Sequence, residues 1–385
     1  MISYGRQYID QKDIKAVSSV LKSNWLTQGP QVEKFEKGIQ NFLGAKYACA
    51  VNNGTAALHL ACLALKIKEN DLVLTTPITF LSSVNSILYV KAKPIFIDID
   101  KNTYCIDIDK MEEKIINLKN KNKRIKAAII TDYAGQPCDW KKIYALAKKY
   151  NFLTINDNCH SFGSKYYDKK NYAAKYADIA TYSFHPVKTI TTGEGGCVVT
   201  NNKKINETLR VLRNHGVVRN KKIEKKKGVW FYEMIELGFN YRLSDIQSAL
   251  GTSQLKKIDF FLKKRKEIAN FYNKFFLNRK IFQVPKVSNF CEHSYHLYPL
   301  QINFKSLKIN KKTFFKKMLE KGIKLQVHYI PIYKQKYYKK IFNFKDKNFP
   351  VSENFYKNIV SIPIFPSLTK NNLKLITKNI LDICK

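Results

Sequence analysis

Ser183-Phe184-His185-Pro186-Val187-Lys188, closed by Thr191-Thr192-Gly193-Glu194-Gly195-Gly196, is the stretch on which the reading of this 385-residue chain turns. The run Ile179–Ser183 is apolar and β-branched and reads as a strand. Cys197–Thr200 reads as the next one, and the glycines between them mark a turn. A loop leaving the carboxyl end of a strand in an α/β sheet is where ligands gather. A lysine withdrawn from water there loses its charge and becomes a nucleophile toward an aldehyde. Lys188 is one of 68 lysines and arginines, and a lone lysine is ordinarily a solvated surface residue, so its weight comes from what surrounds it.

Outward from that loop, further strands are predicted at Tyr47–Val51, Leu72–Thr75, Pro94–Asp98, Ala127–Thr131 and Phe152–Ile155. Helical patterns such as Thr55–Leu65 and Trp140–Tyr150 lie between them. Strand–helix alternation argues for an α/β fold with a mostly parallel seven-stranded sheet covered on both faces. The last two strands are joined by a loop alone, so one of them is open to an antiparallel direction. A single long helical stretch is expected from Leu243 to Phe276, then a smaller α+β segment from about Phe282 punctuated by prolines. The division is residues 1–242 as a large cofactor domain with its N-terminal segment, and 243–385 as linking helix and small domain.

Three further elements carry chemistry. Asp157, in Asn156-Asp157-Asn158-Cys159-His160, follows a strand; it either caps the next turn or faces a ligand in the sheet's carboxyl-end crevice. Asn53-Gly54-Thr55 opens a helix straight after a strand, where free amides and the helix dipole attract an anion, although an ordinary N-cap has the same look. Gly238-Phe239-Asn240-Tyr241-Arg242 precedes Ser244-Asp245, a helix start.

The net charge of +38 raises nucleic-acid binding as a rival. The lysines are spread along the whole chain, with clusters such as Lys221–Lys227 expected in loops, and they come with abundant Asn, Ile, Phe and Tyr, as an AT-rich genome would encode. No nucleic-acid-binding motif accompanies them. The eight cysteines form no CxxC or zinc spacing and read as reduced thiols; no metal is expected. No apolar run spans a membrane and Met1–Asp10 is not a signal segment, so a cytoplasmic protein without membrane partners is expected.

Taken together and in this order, the elements resemble the DegT/StrS-type sugar aminotransferases of PLP-dependent fold type I, over nearly the whole chain. Within that family the resemblance is to the branch serving pseudaminic acid synthesis. It is carried by Thr75–Phe80, Asp132–Gly135, Asp157 with His160, Ser183–Gly196, Ser248–Gly251, His296–Pro299 and Val327–Tyr333. The resemblance implies pyridoxal 5'-phosphate (PLP) as cofactor, with Lys188 as the Schiff-base lysine, Asp157 as the partner of the pyridinium nitrogen and Phe80 stacked on the ring. It implies Ser183, Gly54 and Thr55 as a phosphate cradle, and Asn240 reaching the phosphate of the neighbouring subunit in a homodimer with shared sites. His160 stands where many members carry Gln and fills the same donor role. Tyr4, the loop Asn24-Trp25-Leu26-Thr27 and Tyr329-Ile330-Pro331-Ile332 match segments lining a nucleotide-sugar cleft. The implied reaction is amination of a UDP-linked 4-keto-6-deoxy-N-acetylhexosamine with glutamate as donor. Another nucleotide keto sugar, of legionaminic or bacillosamine type, is the alternative.

Overall fold

A computed structural model describes residues 1–219 and 221–385. The central sheet has seven strands: β1 (Tyr47–Val51), β2 (Leu72–Thr75), β3 (Lys93–Phe96), β4 (Ile125–Thr131), β5 (Leu153–Asp157), β6 (Ile179–Ser183) and β7 (Gly196–Thr200). Their order across the sheet is β1-β7-β6-β5-β4-β2-β3. β3, β2, β4, β5 and β6 pair in parallel. β7 is the antiparallel strand, running against both β6 and β1, with Ser183 opposite Gly196. A parallel neighbour needs a crossover, usually a helix. The segment between β6 and β7 contains none, so the chain turns back on itself and Lys188 rides on that return.

Alternate residues of the strands feed two apolar layers. Cys49, Val51, Val73, Ala127, Ile129, Ile155, Ile179 and Val198 pack on one face with α3 (Gly54–Ala64). Ala48, Ala50, Leu74, Ala128, Ile130, Ala180 and Val199 pack on the other with α2 (Pro30–Leu43), which follows α1 (Gln11–Leu21). Helices α4 (Leu81–Tyr89), α5 (Ile108–Lys119) and α6 (Trp140–Tyr150) complete the crossovers, and α7 (Lys203–Arg213) follows β7. Six of the eight cysteines are buried and all are free thiols.

The single helix expected over Leu243–Phe276 is two, α8 (Asp245–Leu255) and α9 (Ile258–Phe276). The break falls at Lys257, whose φ of −107° and ψ of 5° leave the helical region. Its Nζ is taken by Asp13 and by Asp10 at 3.0 Å, so the chain bends where a partly buried cation meets two carboxylates of the N-terminal region. Lys221–Lys227, expected as loop, is a short helix, in keeping with the good helix propensity of Lys and Glu. The strand foreseen to stop at Ile155 runs on to Asp157.

Beyond α9, β8 (Phe282–Gln283), β9 (Tyr298–Ile302) and β10 (Ile359–Ile362) form a small antiparallel sheet in that order. Its core joins Tyr272 of α9, Leu300 of β9, Phe314 of α10 (Lys311–Glu320) and Ile376 of α11 (Lys370–Ile383). The chain's first residues belong to this unit. Ile2 N–H donates to the Gly322 carbonyl at 2.7 Å, and the Tyr4 carbonyl accepts from Ile364 N–H at 3.0 Å. Among the described residues, no helix is long and apolar enough to cross a membrane.

Candidate active site

Strand ends and the loops after them converge on a cavity of about 580 Å³. Lys188 lies in its wall, on the β6–β7 return. The return is held shut by Phe184 N–H to the Gly195 carbonyl at 2.8 Å and Thr192 N–H to the Phe184 carbonyl at 3.0 Å. Gln247 of α8 clamps it from outside, donating from Nε2 to the Glu194 carbonyl at 2.7 Å. Burial lowers the Lys188 ammonium from its ordinary value, opposed by Cys159 and Asp157.

Asp157, the last residue of β5, meets a web of hydroxyls. Its Oδ2 accepts from Ser83 Oγ at 2.5 Å and from Thr131 Oγ1 at 3.4 Å, while its Oδ1 accepts from Cys159 N–H at 3.2 Å. Thr79 Oγ1 lies 2.8 Å from both Ser83 Oγ and Thr131 Oγ1. The loop around Asp157 is fixed from below by Asp132. This fully buried carboxylate accepts from Asn158 Nδ2 at 2.9 Å, Asn156 Nδ2 at 3.2 Å, Tyr172 Oη at 2.7 Å and Trp140 Nε1 at 2.8 Å. Burial pushes Asp132 up to about 6.

α3 begins at the cavity. Asn53 caps it, its Oδ1 accepting from Ala56 N–H at 2.8 Å, and the first intrahelical bond runs from Ala57 N–H to the Asn53 carbonyl. The amides of Gly54 and Thr55 precede that bond and stay free of the ladder. A Cβ on Gly54 would lie 2.9 Å from Ser183 Cβ, and one on Gly196 2.5 Å from the Asn53 carbonyl oxygen, so small residues let these three loops close together.

The remaining wall comes from the C-terminal third. His160 Nδ1 accepts from Ala134 N–H at 3.3 Å, which puts the ring proton on Nε2, 2.8 Å from Tyr329 Oη. The Phe80 ring sits 5.9 Å from Tyr329, His296 lies 4.6 Å from His160, and Tyr4 lies 5.2 Å from His328. Burial first, then Lys188, holds His160 and His296 neutral, and lowers His328 to about 3. The imidazoles around Lys188 are thus neutral, and the acidic side chains in the same wall are Asp157 and Glu194.

Of the residues singled out in the sequence, Lys188, Asp157, His160, Ser183, Gly54, Thr55, Phe80, Tyr4 and Tyr329 line this one cavity. Others do not. Asn240 is exposed, its backbone bridged to Asn214. Trp25 and Leu26 are exposed on a loop tied to the start of α8, through Thr27 beside Ser244 and Asp245 N–H to the Leu26 carbonyl, and Asn24 precedes them. Ile332 is buried with Val84, Phe96 and Tyr338 in a separate cluster, Ile330 is exposed, and Pro331 leads into a turn of 3-10 helix. Sequence reading gave no role to Thr79, Ser83, Thr131, His296 or His328. Nothing local in the chain marks them as a group.

Residues 7–381 match the DegT/DnrJ/EryC1/StrS aminotransferase family. The chain is 42% identical over 383 residues to a UDP-4-amino-4,6-dideoxy-N-acetyl-beta-L-altrosamine transaminase of Campylobacter jejuni, covering 100% of this chain and 97% of that protein. It is 35% identical over 382 residues to the Helicobacter pylori protein of the same name, covering 98% and 96%. Among solved structures, H. pylori PseC, an aminotransferase in pseudaminic acid biosynthesis, superposes with a TM-score of 0.91 at 33% identity, covering 100% of this chain and 99% of that one. With a lysine and a strand-end carboxylate lining one cavity and a match along almost its entire length, the chain belongs to the DegT/DnrJ/EryC1/StrS aminotransferase family.

Proposed function

We propose that the protein transfers an amino group from glutamate to a UDP-linked 4-keto-6-deoxy-N-acetylhexosamine, with PLP as cofactor, in pseudaminic acid synthesis. The observation carrying this is Lys188, desolvated in the wall of a cavity that also presents Asp157, in a chain 42% identical over its full length to an altrosamine transaminase.

The residues fit PLP. Gly54, Thr55 and Ser183 offer free amides and a hydroxyl at a helix N-terminus for a phosphate. Phe80, half exposed, offers a ring face. PLP supplies an electrophilic carbonyl and an electron-withdrawing ring. Lys188 Nζ, whose ammonium form burial disfavours, would hold the cofactor and would move a proton at the donor or sugar carbon. Asp157, its Oδ2 steadied by Ser83 and Thr131, holds a proton on the ring nitrogen. His160 offers its Nε2 proton to an oxygen. Tyr4 and Tyr329 flank the sugar, with Asn24, Trp25, Leu26, Thr27, Ile330, Pro331 and Ile332 belonging to the segments that receive the nucleotide.

We further read the working unit as a homodimer in which Asn240 serves the partner's site. Supporting this, the segment after α7 leaves Val229, Trp230, Tyr232, Met234, Ile235 and Leu237 exposed, an apolar surface that a second copy would cover. The test is incubation with glutamate and a panel of UDP-4-keto sugars, with the product identified by NMR. A 4-amino-altro product is expected. Turnover only of a sugar of legionaminic or bacillosamine type would reassign the substrate.

A further inference from the structure

Two polar groups near Lys188 stand without the partners that burial ordinarily demands. His296 lines the cavity and is 4% exposed, yet its Nδ1 is buried with no hydrogen-bond partner. Arg265 of α9 is 1% exposed. Its Nη1 donates to the carbonyls of His296 at 3.2 Å, Tyr295 at 3.2 Å and Ile364 at 3.0 Å, its Nε is unpartnered, and no carboxylate pairs with it among the described residues. Arg265 and Lys188 border the same narrow internal gap. A cation buried against neutral carbonyls alone is costly and calls for an anion nearby.

We propose that His296, backed by Arg265, forms a carboxylate subsite that receives the amino donor in the first half of the reaction. The inference rests on the aminotransferase reading and adds the means of donor recognition. Among the described residues Lys188 is the one lysine lining the cavity and no arginine lines it, and Lys188 is engaged in the chemistry. With Nδ1 buried away from any partner, Nε2 is the ring nitrogen left to meet an incoming oxygen, and it can do so as an N–H donor. Burial and the neighbouring Lys188, His160 and Arg265 keep the ring neutral when the subsite is empty. A carboxylate arriving there turns the bond into a charge-assisted one and supplies the negative charge that Arg265 lacks. The neutral imidazole leaves the subsite free for sugar hydroxyls once the donor has gone, so two unlike substrates use one cavity in turn.

The experiment uses PLP-loaded protein and glutarate, a dicarboxylate without an amine that cannot react, with glutaramide as its uncharged counterpart. Calorimetry should show glutarate binding to wild type and no binding of glutaramide. His296→Phe should weaken glutarate at least tenfold, with His296→Asn as the second variant should the first fail to fold. In wild-type protein carrying ¹⁵N-histidine, glutarate should move the His296 ring-nitrogen signals. Half-reactions followed separately should show the donor half-saturation shifted at least tenfold more than that of the keto sugar. Absence of glutarate binding to wild type, or unchanged affinity in a folded His296→Phe, overturns the subsite. Glutarate binding with no amination of any keto sugar would instead leave the subsite and overturn the functional reading.

Discussion

Ser83 Oγ and Asp157 Oδ2 lie 2.5 Å apart, the shortest of the hydrogen bonds that orient the strand-end carboxylate, and they join residues 74 positions apart in the chain. Ser83→Ala leaves only the 3.4 Å bond from Thr131 to that oxygen. Losing one hydrogen bond to a charged group costs about 1.5–3 kcal/mol. The expected result is a fall in kcat of roughly tenfold to a hundredfold, with the fold intact by circular dichroism. Asp157→Asn should fall further while still binding PLP, because the ring nitrogen loses its proton-holding partner. Steady-state kinetics of the two variants side by side check the ranking.

Lys188→Ala should abolish turnover and remove the visible absorption that a lysine-bound cofactor gives. Lys188→Arg should fail equally, since a guanidinium stays charged and cannot take the place of a neutral amine. A Lys188→Ala enzyme turning over at near wild-type rate would reassign the site.

The buried histidines make stability depend on pH. His160 and His296 are held well below the ordinary imidazole value, and His293 and His328 at about 3, with burial the first cause in each. Below the unfolded pKa of about 6.5 the unfolded chain binds protons that the native fold refuses. Stability is therefore complete above that pH and lost as pH falls. At pH 5 His293 and His328 each withdraw about 2 kcal/mol, and His160 and His296 act in the same direction. Asp132, raised to about 6 by burial, gives the opposite slope between its unfolded value and 6, but it is one group against four. Tm should drop between pH 7 and 5, and His293→Gln, outside the cavity wall, should flatten that drop.

Gly196→Ala sets a Cβ 2.5 Å from the Asn53 carbonyl oxygen and 2.9 Å from the Gly54 nitrogen, which is backbone that must shift. The β6–β7 return and the start of α3 should move apart. We expect a loss of about 1–3 kcal/mol and weaker PLP retention, read from denaturant titration and from absorbance after gel filtration.

Asn240 tests the shared site. Homodimers of Lys188→Ala and of Asn240→Ala should each be weak. After subunit exchange, one site of each mixed dimer carries both lesions and the other carries neither, so activity should return toward half of wild type per mixed dimer. Verified exchange without recovery would confine Asn240 to its own subunit or to no role.

Much of this was legible in the chain. The strands stand within two residues of their apolar runs, because a buried parallel sheet writes itself as short continuous apolar stretches. Lys188, Asp157 and Gly54 were legible because each follows such a stretch. The hydroxyls of Thr79, Ser83 and Thr131 were not: nothing local distinguishes a serine facing a carboxylate from one on a surface helix. His296 was quoted only as part of a matching stretch, since its unpartnered nitrogen is a property of three-dimensional packing. The break at Lys257 escaped for the same reason, its cause lying at Asp10 and Asp13.

The pairing of the first residues with the last has a consequence for how the protein is made. Ile2 and Tyr4 take their backbone partners from Gly322, Lys324 and Ile364. Residues 2–4 therefore leave the ribosome with no mate and wait until residue 364 has been translated. Tyr4, His296, His328 and Tyr329 reach the cavity wall only then. A nascent chain stalled before residue 290 already has Lys188 but lacks the far side of the chamber. Competence waits on the residues up to Ile364, and products truncated before them are left unable to enclose a substrate.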